Sequence, residues 1–388
     1  MLNIVFLGLV SFFTDISTEM VYPIVPLYLT SVFGATPALV GVIEGIAESV
    51  ASLLKVFSGH ITDRFQKKKA TAFIGYAPGV LYKLALLFAA SWIGVLGARV
   101  LDRIGKGIRT VPRDVLISEN AENAGMGKAF GIHKALDMSG AALGILITYF
   151  ALQGMRENFD YKKMFMFSII PAIVGLCMFF FIREKREKRI QKHREPFWKN
   201  IRSIDAQLRL YLVVVFLFTL GNSSNAFIIL KANAIGFDAA KVILLYFFYN
   251  VTASVLSIPC GKLSDRIGRK KLLVPGYIAF SLCYLGFAFA SNQWMLIIVF
   301  FMYGVYTAMI AGVERAFIAE ISPSELKGTM LGLHSTVAGV ALLPASLIAG
   351  VLWNAFGAGV PFIFGASLSL LAAIVLLVFM KNNSTITA

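Results

Sequence analysis

The chain has 388 residues, of which 58% are hydrophobic and only 15% are charged, and its mean hydropathy is +0.76. A soluble domain carries about 25% charged residues, so this composition excludes a soluble protein and indicates an integral membrane protein. A net charge of +15 would suggest a nucleic-acid partner in a soluble protein. Here the basic residues concentrate in short joints and at helix ends, where they orient the chain in a bilayer, and we expect no nucleic-acid partner.

Twelve stretches of the chain are apolar and long enough to cross a bilayer, because a hydrocarbon core of about 30 Å requires roughly 20 helical residues. We number them spans 1 to 12, and they lie near residues 3–30, 36–58, 70–90, 92–117, 128–151, 163–182, 208–230, 239–260, 271–290, 293–319, 328–352 and 359–380. Short joints separate most of the spans, and no stretch is left for a soluble domain. The sequence therefore predicts an all-α integral membrane fold.

Lysine and arginine concentrate in three joints, at residues 64–69 after span 2, at 262–271 after span 8, and at 183–207 between spans 6 and 7. Twelve spans place these joints on one side of the membrane together with both termini. The positive-inside rule makes that side cytoplasmic. We therefore expect a multi-pass protein of the cytoplasmic (inner) membrane, with both termini in the cytoplasm and the lipid bilayer as a partner.

The basic joint divides the chain into two halves of six spans. The parts are residues 1–182 (first bundle), 183–207 (basic linker) and 208–388 (second bundle). The segment 59–69, GHITDRFQKKK, is echoed at 261–271 by GKLSDRIGRKK, an offset of 202 residues. His133 and His334 belong to a second echo, GIH at 131–133 and GLH at 332–334, offset by 201 residues. Two echoes at nearly one offset predict parallel bundles related by an axis along the membrane normal.

Span 4 carries charges that an apolar helix would not tolerate without partners. They are Arg99, Asp102, Arg103, Lys106, Arg109 and Arg113. Spacings of three and four residues place these charges on one stripe of the helix. Because ionised groups are costly in lipid, the stripe must face other charged groups or water. Arg109 and Arg113 approach the cytoplasmic interface, where long side chains can reach water.

The joint motifs and the six-plus-six arrangement resemble the major facilitator superfamily over essentially the whole chain. The motif residues are Gly261, Asp265, Arg266, Gly268 and Arg269 in the second half and Gly59, Asp63 and Arg64 in the first. The first copy departs from the family pattern at Gln66, where glycine is usual. Segments 18–23 (TEMVYP) and 102–114 (DRIGKGIRTVPRD) are similar to a poorly characterised prokaryotic branch of that superfamily. The resemblance implies a transporter without naming its cargo.

The joint motif has a physical logic as a gating latch. Asp63 or Asp265 can cap the N-terminus of a neighbouring helix, and the cations that follow sit at a helix end. Such contacts can hold one conformation and break in another. The alternative is that the motif only orients the chain in the membrane. Two copies at a fixed offset favour the latch.

Carboxylates in spans 1 and 2 reach the depth of the span 4 stripe. They are Asp15, Glu19, Glu44 and Glu48, in pairs one helical turn apart. Burial disfavours a charged carboxylate and a neighbouring arginine favours it, a balance that suits a proton-coupling group. We expect Asp15 to pair with Arg99 or Arg103, with Glu19 as the second candidate, and the resemblance implies the same arrangement. A static salt-bridge network is the alternative interpretation.

The second half offers mostly neutral hydrogen-bonding groups inside its spans. The predicted lining of the cargo cavity is Asn222, Asn225, Tyr246, Asn250, Tyr303, Thr307, Glu314 and Arg315. Hydrogen bonding between helices is the alternative role for these side chains. His133 and His334 are candidate pH-sensitive residues or packed gate residues. Lys134 and Asp137, one turn apart in span 5, are interpreted as a pair inside the bundle.

These observations predict a monomeric secondary transporter that uses alternating access and the proton gradient to move a small polar solute. The excess of bases in span 4 favours an anion. A drug or metabolite efflux pump is the alternative, and a cavity dominated by aromatics with one acid would favour it. A receptor without transport is a further possibility. We expect no enzyme and no cofactor, because the spans lack nucleophile–base pairs, metal-ligand spacings and phosphate-binding loops.

Overall fold

A computed structural model describes residues 2–65, 68–120, 126–154, 160–184, 205–310, 312–322 and 327–380. Within these ranges the side chains at 56–57, 59–65, 118–119, 126–131, 319 and 327–329 are not described. All regular structure of the described residues is helical, which confirms the all-α fold. The predicted linker at 183–207 lies mostly outside these ranges.

The described residues form fifteen α-helices, which we number in chain order. Those of the first half are α1 (Leu2–Glu19), α2 (Val25–Phe33), α3 (Pro37–Phe65), α4 (Lys68–Phe88), α5 (Trp92–Asn120), α6 (Met126–Gly154) and α7 (Tyr161–Met178). Those of the second half are α8 (Ala206–Gly221), α9 (Ala226–Ala234), α10 (Ala239–Ile267), α11 (Arg269–Phe289), α12 (Gln293–Ile310), α13 (Val313–Ile321), α14 (Lys327–Phe356) and α15 (Val360–Phe379). Eleven helical segments of the described residues are long and apolar enough to span a membrane, and the charge-bearing α5, with 29 residues, is the twelfth long one.

Three of the twelve predicted spans are broken rather than continuous. Span 1 consists of α1 and α2, joined by a short 3-10 turn at Tyr22–Ile24, and Pro23 and Pro26 stand at the starts of the two segments after the break. Proline removes a backbone donor and its ring clashes with the preceding turn, which ends a helix. Span 7 breaks between α8 and α9, and span 10 breaks near Gly312. Backbone groups released at such breaks become available at mid-membrane depth.

The two ends of the bundle are defined by hydrogen bonds near the helix termini. Asn3 Nδ2 donates to Asn120 Oδ1 at 2.9 Å and to the Arg183 carbonyl oxygen at 2.8 Å. In the second half, Lys270 Nζ donates to the Leu377 carbonyl oxygen at 3.2 Å. We call this side, where α1 begins and α15 ends, the termini end. The opposite side, with short connections such as 34–36 and 357–359, is the far end.

The halves meet mainly where α3 packs against α14 and α6 packs against α10. Gly41 lies against the Ser346 carbonyl so closely that no side chain would fit there. Ser49 Oγ donates to the Gly339 carbonyl oxygen at 2.8 Å, deeper along the same helix pair. At the far end α9 also contacts α2 and α3. These contacts join the halves on the far side of their shared interior.

Candidate functional site

A cavity of about 230 Å³ lies between the two halves, next to the break in span 7. Its lining from the second half is Asn222, Ser223, Ser224, Asn225, Tyr249, Tyr303, Tyr306, Thr307 and Leu342, and from the first half Tyr22 and Glu48. Ligand sites in proteins are mostly clefts of this kind, with a few placed polar groups. The lining makes this cavity the candidate binding site.

The second-half wall is neutral because its polar groups are amides and hydroxyls. Tyr303 Oη donates to Asn225 Oδ1 at 3.0 Å, and Asn222 Nδ2 lies 3.5 Å from Tyr306 Oη. The aromatic rings of Tyr303 and Tyr306 pack with centroids 4.7 Å apart. The wall can therefore offer hydrogen bonds and ring faces to a solute without adding charge.

The structure places four of the eight predicted lining residues in the cavity: Asn222, Asn225, Tyr303 and Thr307. Tyr246 packs behind the lining, with its ring centroid 6.2 Å from that of Tyr22 and 5.6 Å from that of Tyr249. Asn250 instead donates to the Tyr246 carbonyl oxygen of its own helix at 2.8 Å.

The placement of Glu314 and Arg315 in the lining is corrected. Tyr277 Oη donates to Glu314 Oε1 at 2.8 Å, and Arg315 is exposed. The helix that carries both residues, α13, begins after the break in span 10 and packs against α8, α11 and α14, whereas α12 packs mainly against α10 and α11. The sequence predicted one continuous helix.

Two ion pairs join α5 to α3 beside the cavity. Arg99 binds Glu44 through both carboxylate oxygens, at 2.9 and 2.5 Å, and each residue is only 1% exposed. Arg103 binds Glu48 at 2.5 Å and donates to Asp102 Oδ2 at 3.3 Å. Bidentate and charge-assisted contacts of this kind are the stronger hydrogen bonds in proteins. The α3 side of the stripe is thus electrically paired.

Tyr22 connects these pairs to the cavity that it lines. The Arg99 guanidinium carbon lies 5.0 Å from the Tyr22 ring centroid, and that of Arg103 lies 5.6 Å from it. A cation over an aromatic ring is attracted to it. Of the paired carboxylates, Glu48 retains a side chain that is 28% exposed. Tyr22 and Glu48 are therefore the points where the charge network meets the cavity.

The other side of α5 faces α4, so the predicted single stripe divides between two neighbours. Arg109 lies over the Tyr76 ring at 4.6 Å and is 7% exposed, although the sequence predicted that it would reach the interface. Asp102 lies on the same side, near Lys83, which is completely buried. The sequence reasoning missed Lys83. The signal was present, because a lysine inside an apolar span is unusual.

The pairing predicted for Asp15 is wrong. Asp15 lies within hydrogen-bonding reach of Asp137 on α6, and the cation that acts on it most strongly is Arg109. The physical reason is that α3 occupies the face of α5 that carries Arg99 and Arg103, whereas α1 packs against α6 and α7.

Glu19 faces the cations of α5 without being bonded to them. Of these cations, Lys106 has the strongest electrostatic effect on the Glu19 carboxyl group, followed by Arg103. Its Oε2 atom is buried and has no hydrogen-bond partner among the described residues. Among the charged groups, Arg103 and Glu48 have the strongest effects on Lys106 itself. Glu19 is therefore a half-buried acid whose buried Oε2 atom is open to a new partner.

The second joint motif ties four spans together at the termini end. Arg269 binds Asp265 at 3.4 Å and Glu320 of α13 at 2.5 Å. Gly268 joins α10 to α11 with φ of +96°, a conformation that favours glycine. Lys270 also donates to the Met380 carbonyl oxygen after α15. The prediction that Asp265 caps a neighbouring helix is corrected, because its recorded partner is Arg269, one turn along the chain.

The first copy of the motif can be compared only in part. The side chains of Asp63 and Arg64, and the surroundings of Gly59, lie outside the described residues. Lys69 Nζ donates to the Ile182 carbonyl oxygen at the end of span 6, at 2.6 Å. Lys270 makes the equivalent contact in the second half, so both halves anchor their last span by a lysine. Gly261 contacts nothing closely, and Arg266 is exposed.

The two echoed histidines are buried in their own halves and have different partners. His133 Nε2 shares a hydrogen bond of 2.8 Å with Ser11 Oγ. His334 Nε2 lies 3.9 Å from Glu314 Oε2, and its ring stacks on Tyr211 at 6.4 Å. No group of three or more metal-ligating side chains is found in the described part of the chain.

Comparison with known proteins decides the family. The Major Facilitator Superfamily model matches residues 7–228 and 211–386. The chain belongs to the Major Facilitator Superfamily. The uncharacterised MFS-type transporter MJ1317 of Methanocaldococcus jannaschii is 36% identical over 97% of this chain and 94% of its own length. This superfamily member is therefore a secondary transporter, with the spans arranged as the sequence predicted.

Two further similarities have narrower meaning. A crystal structure of a mutant of the nucleoside transporter NupG superposes with a TM-score of 0.84 at 12% identity, covering 98% of this chain and all of that one. At this identity the likeness shows the fold alone. The multi-drug resistance efflux pump PmrA of Streptococcus pneumoniae is 30% identical over 34% of this chain and 33% of its own length.

Proposed function

We propose that this chain is a proton-coupled transporter that moves a small polar solute across the cytoplasmic membrane by alternating access. It acts as a monomer whose partners are the solute, protons and the surrounding lipid. The termini end faces the cytoplasm, since Lys69, Arg269 and Lys270 lie there and the positive-inside rule favours that orientation.

The observation that carries the proposal is the division of labour between the halves. Buried carboxylates and cations in the first half reach the cavity at Tyr22 and Glu48, while the second-half wall is neutral. A solute bound at that wall therefore touches the network at a few atoms. A solute contact at Glu48 can affect Arg103 and, through it, Asp102, because Arg103 contacts both carboxylates.

Asp15 and Asp137 supply a site for the transported proton. Two carboxylates this close cannot both remain charged without strong repulsion, so the pair favours holding one proton. The pair spans α1 and α6, and α6 is a first-half helix that packs against the second half. Loading or releasing the proton changes the charge at this helix contact and can bias which side of the bundle is open.

The contacts between the halves support an inward-facing state. The backbone N–H of Ala38 donates to Asn354 Oδ1 at 3.3 Å, and Gly350 of α14 lies so close to the Ala38 backbone that no side chain would fit there. Both contacts lie at the far end, which the proposed orientation places outside the cell. Opening toward the exterior would require these contacts to separate.

The test begins with a thermal-shift screen of purified protein against neutral and anionic metabolites, siderophores and drugs, at acidic and alkaline pH. A solute that stabilises the protein is then supplied to proteoliposomes under an imposed pH gradient. We expect the wild type to accumulate the solute. Asp15→Asn should equilibrate it without accumulation, while Asp160→Asn, at an exposed helix cap, should behave as the wild type. Gradient-driven accumulation by Asp15→Asn would overturn the proposed coupling.

A drug or metabolite efflux pump is the second candidate. Four tyrosines and a single acid, Glu48, line the cavity, as expected for such a pump. The efflux pump PmrA is also 30% identical to this chain over 34% of its length. The volume of about 230 Å³ favours a smaller solute, since sites for drug-sized ligands are about 300–1,000 Å³. Growth inhibition by a drug panel in an efflux-deficient host discriminates the two. Protection by the wild-type gene but not by Glu48→Gln would favour efflux.

The charge of the solute follows from which cations are free. Sequence favoured an anion because bases exceed acids in span 4, yet Arg99 and Arg103 are already bound to Glu44 and Glu48. Lys106, whose charge acts on Glu48 of the lining, is the base that favours an anionic solute. Neutral and phosphorylated forms of the same solute, compared in the thermal-shift screen, separate these cases.

A further inference from the structure

The first half contains an unusual concentration of buried polar atoms without partners. Among the described residues, ten buried side-chain nitrogen or oxygen atoms have no hydrogen-bond partner in the protein, and eight of them belong to α1, α4 and α5. Native proteins leave few such groups unsatisfied, because each one is costly unless water or an ion satisfies it. The concentration in one place calls for a common explanation.

Lys83 and Asp102 lie at the centre of this group. Lys83 is fully buried and Asp102 is 2% exposed. Asp102 is the opposite charge with the strongest effect on Lys83, and Lys83 is second to Arg103 among the cations that act on Asp102. Lys83 Nζ and Asp102 Oδ1 nevertheless have no hydrogen-bond partner among the described residues, and Asp102 uses its other oxygen to accept from Arg103. A water that bridges the two groups would satisfy both unpartnered atoms.

Neighbouring atoms extend the same pattern along α5. Arg109 Nη1 lies unbonded on the termini side of Asp102, and Arg103 Nε and Glu19 Oε2 lie unbonded toward the cavity side. The unbonded atoms therefore include donors on Lys83, Arg103 and Arg109 and acceptors on Asp102 and Glu19. A set that mixes donors and acceptors provides an internal water with the several polar partners that it requires.

We infer that a file of internal waters lies between α1, α4 and α5, bridges Lys83 to Asp102, and carries the proton between Asp15 and Glu19 without passing through the cargo cavity. The proton leaves a carboxyl oxygen of Asp15, passes between waters that are themselves unchanged, and arrives on a carboxylate oxygen of Glu19. The arginines remain charged throughout and only orient the waters. The proton relay rests on the proposed proton coupling, whereas the presence of the waters does not depend on it.

The second half provides an internal control for the waters. Tyr277 is fully buried, but its hydroxyl is bonded to Glu314. Tyr82 is 1% exposed, and its ring centroid lies 5.4 Å from Lys83 Nζ. The two tyrosines thus share their burial and differ in the surroundings that would hold water.

X-ray hydroxyl-radical footprinting tests this on the purified full-length protein, because radicals form at bound water and mark the side chains beside it. We expect Tyr82 to be modified several-fold faster than Tyr277. In Lys83→Met, which removes a polar anchor, the rate at Tyr82 should fall to that at Tyr277. Asp102→Asn provides the second variant should Lys83→Met fail to fold. Equal rates at Tyr82 and Tyr277 in the wild type would overturn the inference.

The relay has its own measurement, which needs no cargo. Infrared spectroscopy follows the carboxylic C=O band that Asp15→Asn abolishes while the protein is transferred to D₂O. We expect its exchange to be several-fold slower in Lys83→Met than in the wild type, and unchanged in the second-half control Glu314→Gln. Exchange at the wild-type rate in Lys83→Met would refute the relay even if the waters are present. Failure of proton-coupled accumulation by the wild type would instead refute the proposed function.

Discussion

Replacing Glu44 with glutamine tests how far the α3–α5 contact depends on charge. Glu44 binds Arg99 at 2.9 and 2.5 Å, and Arg99 is only 1% exposed, so its guanidinium cannot turn to solvent. Removing one partner of a buried ion pair costs about 3–5 kcal/mol. Coulomb's law gives a similar figure, about 4 kcal/mol for unit charges about 4 Å apart at an effective dielectric constant of about 20. We expect Glu44→Gln to lose about 3–5 kcal/mol of unfolding free energy.

Reversible unfolding in mixed detergent micelles with increasing SDS measures this loss. The matched control is Lys241→Gln, which breaks a pair with Asp238 at 3.0 Å whose side chains are more than half exposed. An exposed pair contributes about 0–1 kcal/mol, so the control should change little. The double variant Glu44→Leu with Arg99→Met removes both charges and keeps most of the volume. It should recover most of the stability that Glu44→Gln loses.

Two results would refute this reasoning. One is a loss in Glu44→Gln no larger than that in Lys241→Gln, which would mean that the pair is solvated in the membrane-embedded protein. The other is a double variant no more stable than Glu44→Gln, which would mean that Arg99 stabilises the bundle through packing on Tyr22. Either outcome would remove the energetic basis for treating the α3 side of α5 as a paired unit.

Three further predictions concern the far end, the termini end and the cavity. In a cysteine-free background, oxidation of Ala38→Cys with Asn354→Cys should stop solute flux in proteoliposomes and reductant should restore it; unimpaired flux in the cross-linked protein would contradict closure and opening at this contact. Lys270→Gln should lower the unfolding free energy by about 0.3–1 kcal/mol, because it removes a cation from the end of α15, and an unchanged SDS midpoint would contradict that role. Tyr303→Phe should weaken binding of a stabilising solute, since it frees Asn225 from its hydrogen bond, whereas a thermal shift equal to wild type would exclude Tyr303 from the site.

The arrangement of spans was predictable because each span is an apolar run of the length a bilayer requires. The breaks in spans 1, 7 and 10 were not predicted. Pro23 and Pro26 mark the first break in the sequence, but the breaks at Asn222 and Gly312 lie in residues that helices also tolerate. Their position depends on packing with other helices. The consequence was largest at Glu314, which the break turns away from the cavity.

The charge network was predictable as a set of residues but not as a set of pairs. Helical spacing placed Arg99 and Asp102 on one stripe, yet a stripe does not reveal which helices lie on either side of it. With α3 on one side and α4 on the other, Arg99 binds Glu44 and Asp102 faces Lys83. Asp15 lies instead beside Asp137 of α6. No local sequence pattern encodes the position of α6. The neutral wall was predicted better, with four of eight residues in the cavity lining, because amides and tyrosines inside apolar spans usually face the interior of the bundle.

The paired charges of α5 have a consequence for biogenesis. Each central charge adds about 2.5–3.5 kcal/mol to the free-energy cost of moving a helix from the translocon into the bilayer. Insertion of α5 without partner helices is therefore unfavourable. Glu44, Glu48 and Lys83 all precede α5 in the chain and are synthesised before it. The counterions are therefore synthesised first, and α5 can associate with helices that are already in the membrane. Asp137 arrives afterwards, so the acid pair with Asp15 can close only when α6 is delivered.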